Sequence, residues 1–544
     1  MPRTRLLADL RRILALARSA DRAGEPTAAH LERLAFTRRA ALGLAGLSLP
    51  LIRCSTGAVA AIADAGAPDG TPIPDAGGAA DAGLEADAGL DADAGAGPIG
   101  PRIAIVGAGL AGLHAAHILA LAGHRARIFE AGDRVGGRVL TVRGQLAEDQ
   151  IADLGGELID SDHTTALSLA DGFGLTVDDL YRGERGGVTY RFMGRFLGEA
   201  ELTDAFRPFA AKARAALRAV ESDDDEFDRV DALSIAEWLA GIPEATPLLT
   251  GFMTTAYVAE YGLEASEQSA LNLIYLLDAS DPSDVSVFGD ADERWRLHQG
   301  SDALATKLAE GVQGSIELGA RLAAITELAG GAYRLSFERG AGAIEADFDH
   351  VILALPFSAL RTVDLRATLS REKRRIISEL GYGTNAKLIG QFTSRVWRDT
   401  LRASGTGLSD EGPLQSFWDG ARAQPGASGL LTIYAGGAAG VALGAGPADA
   451  QLRAALPSVD RVFPGSAALY RPGSAVRTSW TEAPHIRGSY ACYRPGQWAF
   501  YGLEGVRAGN LHFAGEHCSA DYQGTMEGAL QSGEAAAREI LADL

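Results

Sequence analysis

Residues 102–112 read Arg102-Ile103-Ala104-Ile105-Val106-Gly107-Ala108-Gly109-Leu110-Ala111-Gly112. Four apolar residues in succession give the pattern of a strand buried on both faces in a parallel sheet. Glycines follow at once, and Leu113 to Ala122 then reads as a helix. Gly107, Gly109 and Gly112, with Ala111 between them, allow a tight turn and bring a pyrophosphate close to the helix N-terminus. Such glycine spacing is weak evidence alone; the strand before it and the helix after it make it specific. A second strand, Arg127-Ile128-Phe129, ends in Glu130, placed to accept a hydrogen bond from a ribose hydroxyl. A Rossmann-like α/β dinucleotide-binding unit therefore opens the folded body.

What precedes it differs in kind. The chain has 544 residues and a formal charge of -20. Residues 1–57 carry ten arginines and four acids, a net of +6, and residues 58–100 carry eight acids and no base, a net of -8. That leaves -18 on the body from residue 101 onward, which excludes the basic footprint a nucleic-acid binder needs. Residues 1–60 read as an export signal of the twin-arginine type. Thr37-Arg38-Arg39 stands before an apolar run ending at Ile52, and Ala58-Val59-Ala60 is a small-residue cleavage site. The run is too short for a stable transmembrane span, which takes about 20 residues. The expected destination is periplasmic or extracellular. A lipid anchor on Cys54 is the lesser alternative, since Arg53 stands where a small residue is required. Residues 61–100 repeat Asp-Ala-Gly five times and read as a flexible, self-repelling linker. Cysteines at 54, 492 and 518 make neither a disulfide framework nor a zinc cluster, and no metal is expected.

Beyond Glu130 comes Val135-Gly136-Gly137-Arg138, then Asp153-Leu154-Gly155-Gly156. Near the C-terminus stand Ala514-Gly515-Glu516-His517 and Gly524-Thr525-Met526-Glu527-Gly528. In this order the motifs resemble those of the FAD-containing amine oxidases, which include monoamine, polyamine and L-amino acid oxidases, and the resemblance covers residues 101–544. It implies a GR2-type FAD-binding domain built from 101–180, 296–365 and 481–544. An α+β substrate-binding domain from 181–295 and 366–480 is interleaved with it. It also implies FAD contacts from Gly136, Gly137, Arg138, Gly155, Gly156, Gly515, Glu516, Thr525 and Met526. Trp480 joins them on a strand expected to pass the flavin ring, together with 488–493. Residues 231–239 are expected to form a capped helix.

The same resemblance assigns chemistry. Lys387, in Gly383-Thr384-Asn385-Ala386-Lys387, aligns with the family lysine that holds a water against flavin N5. A buried lysine of depressed pKa can move protons during reoxidation. Tyr490 matches one member of the aromatic pair facing the flavin, and the other position falls on Thr525, a small hydroxyl residue. Ser489 stands where monoamine oxidases carry the flavin-linking cysteine, so FAD is expected to be non-covalent. Cys492, two residues beyond Tyr490, would share its face on an alternating strand. Glu157, Asp160 and Trp418 are the expected substrate contacts, with Asp162 near them. Leu158 occupies the place of the carboxylate-binding arginine of venom-type L-amino acid oxidases. Arg182, Arg185 or Arg494 would have to replace it. The expected activity is oxidation of an amine, polyamine or L-amino acid to an imine, with O2 reduced to H2O2, by an enzyme that could form a homodimer. A basic L-amino acid satisfies both the acids and an arginine. A flavin desaturase or protoporphyrinogen-oxidase relative, and an inactive FAD-stabilised binding protein, are the alternatives.

Overall fold

The computed structural model describes residues 100–544 apart from 183–185, 282–283, 290 and 313–315. The export signal with Arg38 and Arg39, Cys54, the linker and Arg185 lie outside the described residues. Strand β1 (Ile103–Val106) is buried at all four positions and forms the centre of a five-stranded sheet. Ala126–Phe129 and Ile316–Glu317 lie on one side of it, His350–Leu353 and Leu511–Phe513 on the other, all parallel. A parallel sheet needs helices on its faces, and helix α1 (Leu110–Leu121) supplies one. It starts three residues earlier than its sequence suggests, because Gly107 at φ +108° completes the turn and Gly109 is already the extended N-cap. The C-terminal helix Met526–Asp543 packs across α1 at a close crossing. A Cβ on Gly533 would stand 2.1 Å from the Ala111 carbonyl oxygen.

The second layer is a seven-stranded sheet in the order Val476–Ser479, Ala386–Phe392, Gly429–Ala435, Ser416–Asp419, Ala403–Ser409, Gly187–Phe192, Arg195–Leu197. Its neighbours are antiparallel except for the pairing of Ala403–Ser409 with Gly187–Phe192. Helices between 199 and 276 cover one end of it, with Phe206, Phe209, Trp238, Phe252 and Tyr257 in their shared core. The capped helix expected within 231–239 is Ile235–Ala240, with Ser234 as its cap, and a separate helix, Asp224–Asp231, precedes it. The Ser234 side chain accepts from Glu237 N while the Glu237 carboxylate accepts from Ser234 N, a reciprocal cap that outcompetes a continuous helix.

The expected strand from Trp480 to Tyr493 is absent. The strand ends at Ser479, and the Trp480 carbonyl accepts from the backbone N–H of Ala483 and Gly488, both at 3.2 Å, to close a turn around Pro484. Arg487 at φ +61° continues that turn. Cys492 is buried, its sulfur 3.6 Å from Asn272 Nδ2.

Candidate active site

Between the two sheets lies a cavity of about 2430 Å³, large enough for a dinucleotide and a small substrate together. Its first arm is the glycine cradle. Cβ atoms would collide at Gly107 (2.4 Å from Ala354 O) and at Gly155 (1.9 Å from Arg138 O), so these glycines are fixed by backbone packing. Gly109 has nothing within 4 Å of the place a Cβ would take and faces open cavity at the start of α1. The N–H groups of that first turn lack intrahelical partners and point a positive dipole end at the space. Glu130 accepts from Ala108 N at 2.8 Å and Gly132 N at 2.7 Å, which fixes its carboxylate at the end of its strand. Arg134 donates to the carbonyls of Val135, Gly137 and Val139 and so shapes the Gly136-Gly137 loop; its sequence gave no sign of that role.

The opposite wall is held from the C-terminal motif. Buried Glu516 pairs with Arg138 at 2.7 Å and accepts from Gly524 N at 3.0 Å. Arg138 also donates to the Ser489 carbonyl at 2.7 Å. Trp480, Gly515, Thr525 and Met526 line the same space, and the Met526 side chain lies where a Cβ on Gly156 would fall. An open glycine turn on a helix N-terminus, a carboxylate at the second strand and a closing wall from residues 515–526 fit FAD. Thr525 also has a structural part: its Oγ caps the final helix by accepting from Gly528 N at 3.0 Å and donates to the Tyr522 carbonyl at 2.8 Å.

The floor of the second arm is one face of the seven-stranded sheet. Register pairs Lys387 with Tyr434 and with Thr478, and pairs Ser416 with Tyr434. Trp418, two residues from Ser416, shares that face, and all five line the cavity. Lys387 is buried, and its three protons are all in use. Nζ donates to the carbonyls of Asp153 (3.1 Å) and Gly155 (2.8 Å) and to Glu157 Oε2 (3.0 Å), and lies 5.1 Å from the Trp418 ring centre. Glu157 Oε2 also accepts from Trp418 Nε1 at 3.2 Å. Glu157, expected to contact substrate, is therefore the buried counter-ion of Lys387, because its position next to Gly156 brings it under that strand. Neighbouring Asp153 is pushed up to about 6 by burial and by Glu157's charge.

Tyr490 does have an aromatic partner, but it is Tyr434. Their hydroxyls are 3.0 Å apart, Tyr490 donates to the Glu260 carbonyl, and Tyr434 lies against Trp418 with ring centres 5.7 Å apart. Beyond this wall stand three acids, Asp160, Glu260 and Glu293. Asp160 accepts from Glu293 N at 2.6 Å and lies 3.3 Å from His163. Glu293 is exposed and lines the cavity. Burial, then the charges of Glu293 and Asp160, pushes Glu260 up to about 7; burial, then Asp160, does the same to Glu293, and burial raises Asp160. Arg422 lines the cavity and its charge acts on Glu293. Of the arginines expected to bind a carboxylate, Arg182 is exposed and Arg494 faces Glu267 at 3.5 Å; neither is among the described residues that line the cavity.

The family model for flavin containing amine oxidoreductases matches residues 110–541. The chain belongs to that family. As a flavin-containing amine oxidoreductase it uses FAD, the cofactor its cradle fits, and it acts on small-molecule substrates. It is 29% identical over 462 residues to a putative flavin-containing monoamine oxidase, AofH, of Mycobacterium tuberculosis, covering 81% of this chain and 96% of that protein. It is 28% identical over 484 residues to the flavin-dependent L-tryptophan oxidase RebO of Lentzea aerocolonigenes, covering 81% and 98%. The fold matches putrescine oxidase bound to putrescine (TM-score 0.70, 22% identity, 81% and 99% covered) and cyclohexylamine oxidase of Brevibacterium oxydans (0.70, 22%, 82% and 100%). No helix among the described residues is long and apolar enough to cross a membrane.

Proposed function

We propose that this amine oxidoreductase oxidises the C–N bond of a cationic amine, polyamine or L-amino acid to an imine, with O2 reduced to H2O2. The imine hydrolyses to an aldehyde or keto acid. The observation that carries this reading is the cluster of Asp160, Glu260 and Glu293 in the cavity arm beyond Tyr490 and Tyr434. Bound FAD supplies the two-electron acceptor. The chain's residues do the rest: the acids attract and hold an ammonium, while Trp418, Tyr434 and Tyr490 confine the carbon to be oxidised. Lys387 anchors Glu157 and the Asp153–Gly155 backbone at the junction of the two arms. A peroxide-coupled screen over monoamines, polyamines and the twenty L-amino acids tests the reading. Turnover should concentrate on dications and basic amino acids; silence across the panel with bound flavin overturns it.

A basic L-amino acid is the second reading, and Arg422 favours it. A guanidinium beside Glu293 offers a carboxylate partner next to an ammonium partner. Arg422→Met should then impair L-arginine or L-lysine far more than a diamine of similar length. We also propose twin-arginine export, supported by Arg38-Arg39, the apolar run and the small-residue site. Replacing both arginines by lysine should retain the protein in the cytoplasm; continued export overturns the signal.

A further inference from the structure

Under the end of the final helix, outside the residues that line the cavity, two histidines and an acid converge. His350 begins one strand and His512 lies in its parallel neighbour, where register sets Ile352 beside His512. Residues 350 and 352 share a sheet face, so the two imidazoles lie on one side, ring centres 5.9 Å apart. Asp543 comes from the last turn of the final helix, four residues after Glu539 on the same helix face. His350, His512 and Asp543 each offer a ligand atom, and these atoms lie within 4.8 Å of one another.

We propose that His350, His512 and Asp543 bind a first-row transition-metal ion, for which Zn2+ is the suitable probe. Both histidines are buried, His512 completely, yet His512 Nε2 and His350 Nδ1 have no hydrogen-bond partner. A buried polar atom without a partner is uncommon and calls for an occupant. The other nitrogen of His512, Nδ1, lies 2.7 Å from Glu539 Oε2. A carboxylate on Nδ1–H leaves the Nε2 lone pair free for a metal, the usual outer-shell support of a metal-binding histidine. Two imidazoles and a carboxylate suit zinc, iron, nickel or copper and not the oxygen-seeking Mg2+ or Ca2+. Arg507 pairs with Asp543 and holds its carboxylate at the rim. The ion would pin the last helical turn to the sheet's edge strand. None of the three ligands lines the cavity, so the site is separate from amine oxidation.

The test uses chelator-treated, FAD-loaded full-length protein titrated with Zn2+ by calorimetry, with thermal melting in parallel. One equivalent should bind and raise the melting temperature. His350→Ala and Asp543→Asn should each weaken it by about 100-fold, and Glu539→Gln by about tenfold, with flavin absorbance and amine oxidation unchanged. Should His350→Ala fail to fold, the exposed Asp543→Asn carries the test. Unchanged zinc affinity in the Asp543→Asn protein overturns the proposal and moves the ion elsewhere, for instance to Asp160, Asp162 and His163 at the cavity. Equal binding of Mg2+ overturns it as well. Absence of the equivalent also overturns it, and leaves a water as the occupant between the two nitrogens.

Discussion

Lys387 is the residue on which most depends, and its surroundings give its replacement two separable consequences. Lys387→Met strands the Glu157 carboxylate in a buried site, a loss of about 3–5 kcal/mol in unfolding free energy. If the ammonium also moves protons for the flavin, reduction or reoxidation should slow by about 100-fold while FAD stays bound. Stopped-flow spectroscopy reads the rates and denaturant unfolding the stability. Unchanged rates would remove Lys387 from the chemistry. Glu157→Gln separates the two, since it frees one lysine proton without removing the lysine. The acids give a second prediction. Glu260 and Glu293 are held protonated up to about pH 7, so the pocket gains negative charge as pH rises through that value. KM for a diamine should therefore fall between pH 6 and pH 8, by about tenfold for each acid that ionises against the ammonium. Glu293→Gln should flatten the profile; an unaltered profile would exclude that acid. Lys387 and Tyr490 were legible because each lies in a contiguous motif. Tyr434 was not: its role depends on which strand pairs with Ala386–Phe392 and in which register. The one local trace was alternation in Gly429-Leu-Leu-Thr-Ile-Tyr-Ala, which puts Thr432 and Tyr434 on one face. Glu260 and Glu293, 33 positions apart at a helix end and in a loop, carried no such trace.

At the scale of elements, the glycine turn makes two kinds of demand that substitution can tell apart. Gly155→Ala drives a Cβ to within 1.9 Å of a backbone oxygen and should abolish the soluble fold. Gly109→Ala meets no protein atom and should leave the fold intact, yet fill the space a pyrophosphate needs. Circular dichroism and flavin absorbance distinguish the outcomes: native ellipticity with weakened yellow colour is expected for Gly109→Ala alone. The β1–α1 unit was readable because strand, turn and helix are contiguous. The segment after Ser479 was misread because Pro484 and the turn closed on the Trp480 carbonyl override its apolar residues. The capped helix expected within 231–239 is Ile235–Ala240, legible because Ser234 and Glu237 stand at the spacing of a reciprocal cap.

For the whole molecule, the division into two layers with a cavity between them explains why charge and cofactor can be treated separately. FAD would be held by the glycines and helix ends that line one arm, and the acids cluster in the other. Where monoamine oxidases attach the flavin, Ser489 is tied instead to Asn385, its Oγ donating to Oδ1 at 2.6 Å. Denaturation and filtration should release all the yellow colour, and a flavin-peptide adduct in mass spectrometry would refute that. The parts that seat the cofactor are far apart in the chain: Gly107–Gly112 near the start of the body, Gly515–Met526 near its end, joined by the Arg138–Glu516 pair. The dinucleotide cradle thus stays one-sided during synthesis until residues past 526 have left the ribosome. Flavin loading is then a post-translational checkpoint, and a chain stopped short of the last helix should fail it however well its first strand and helix have formed.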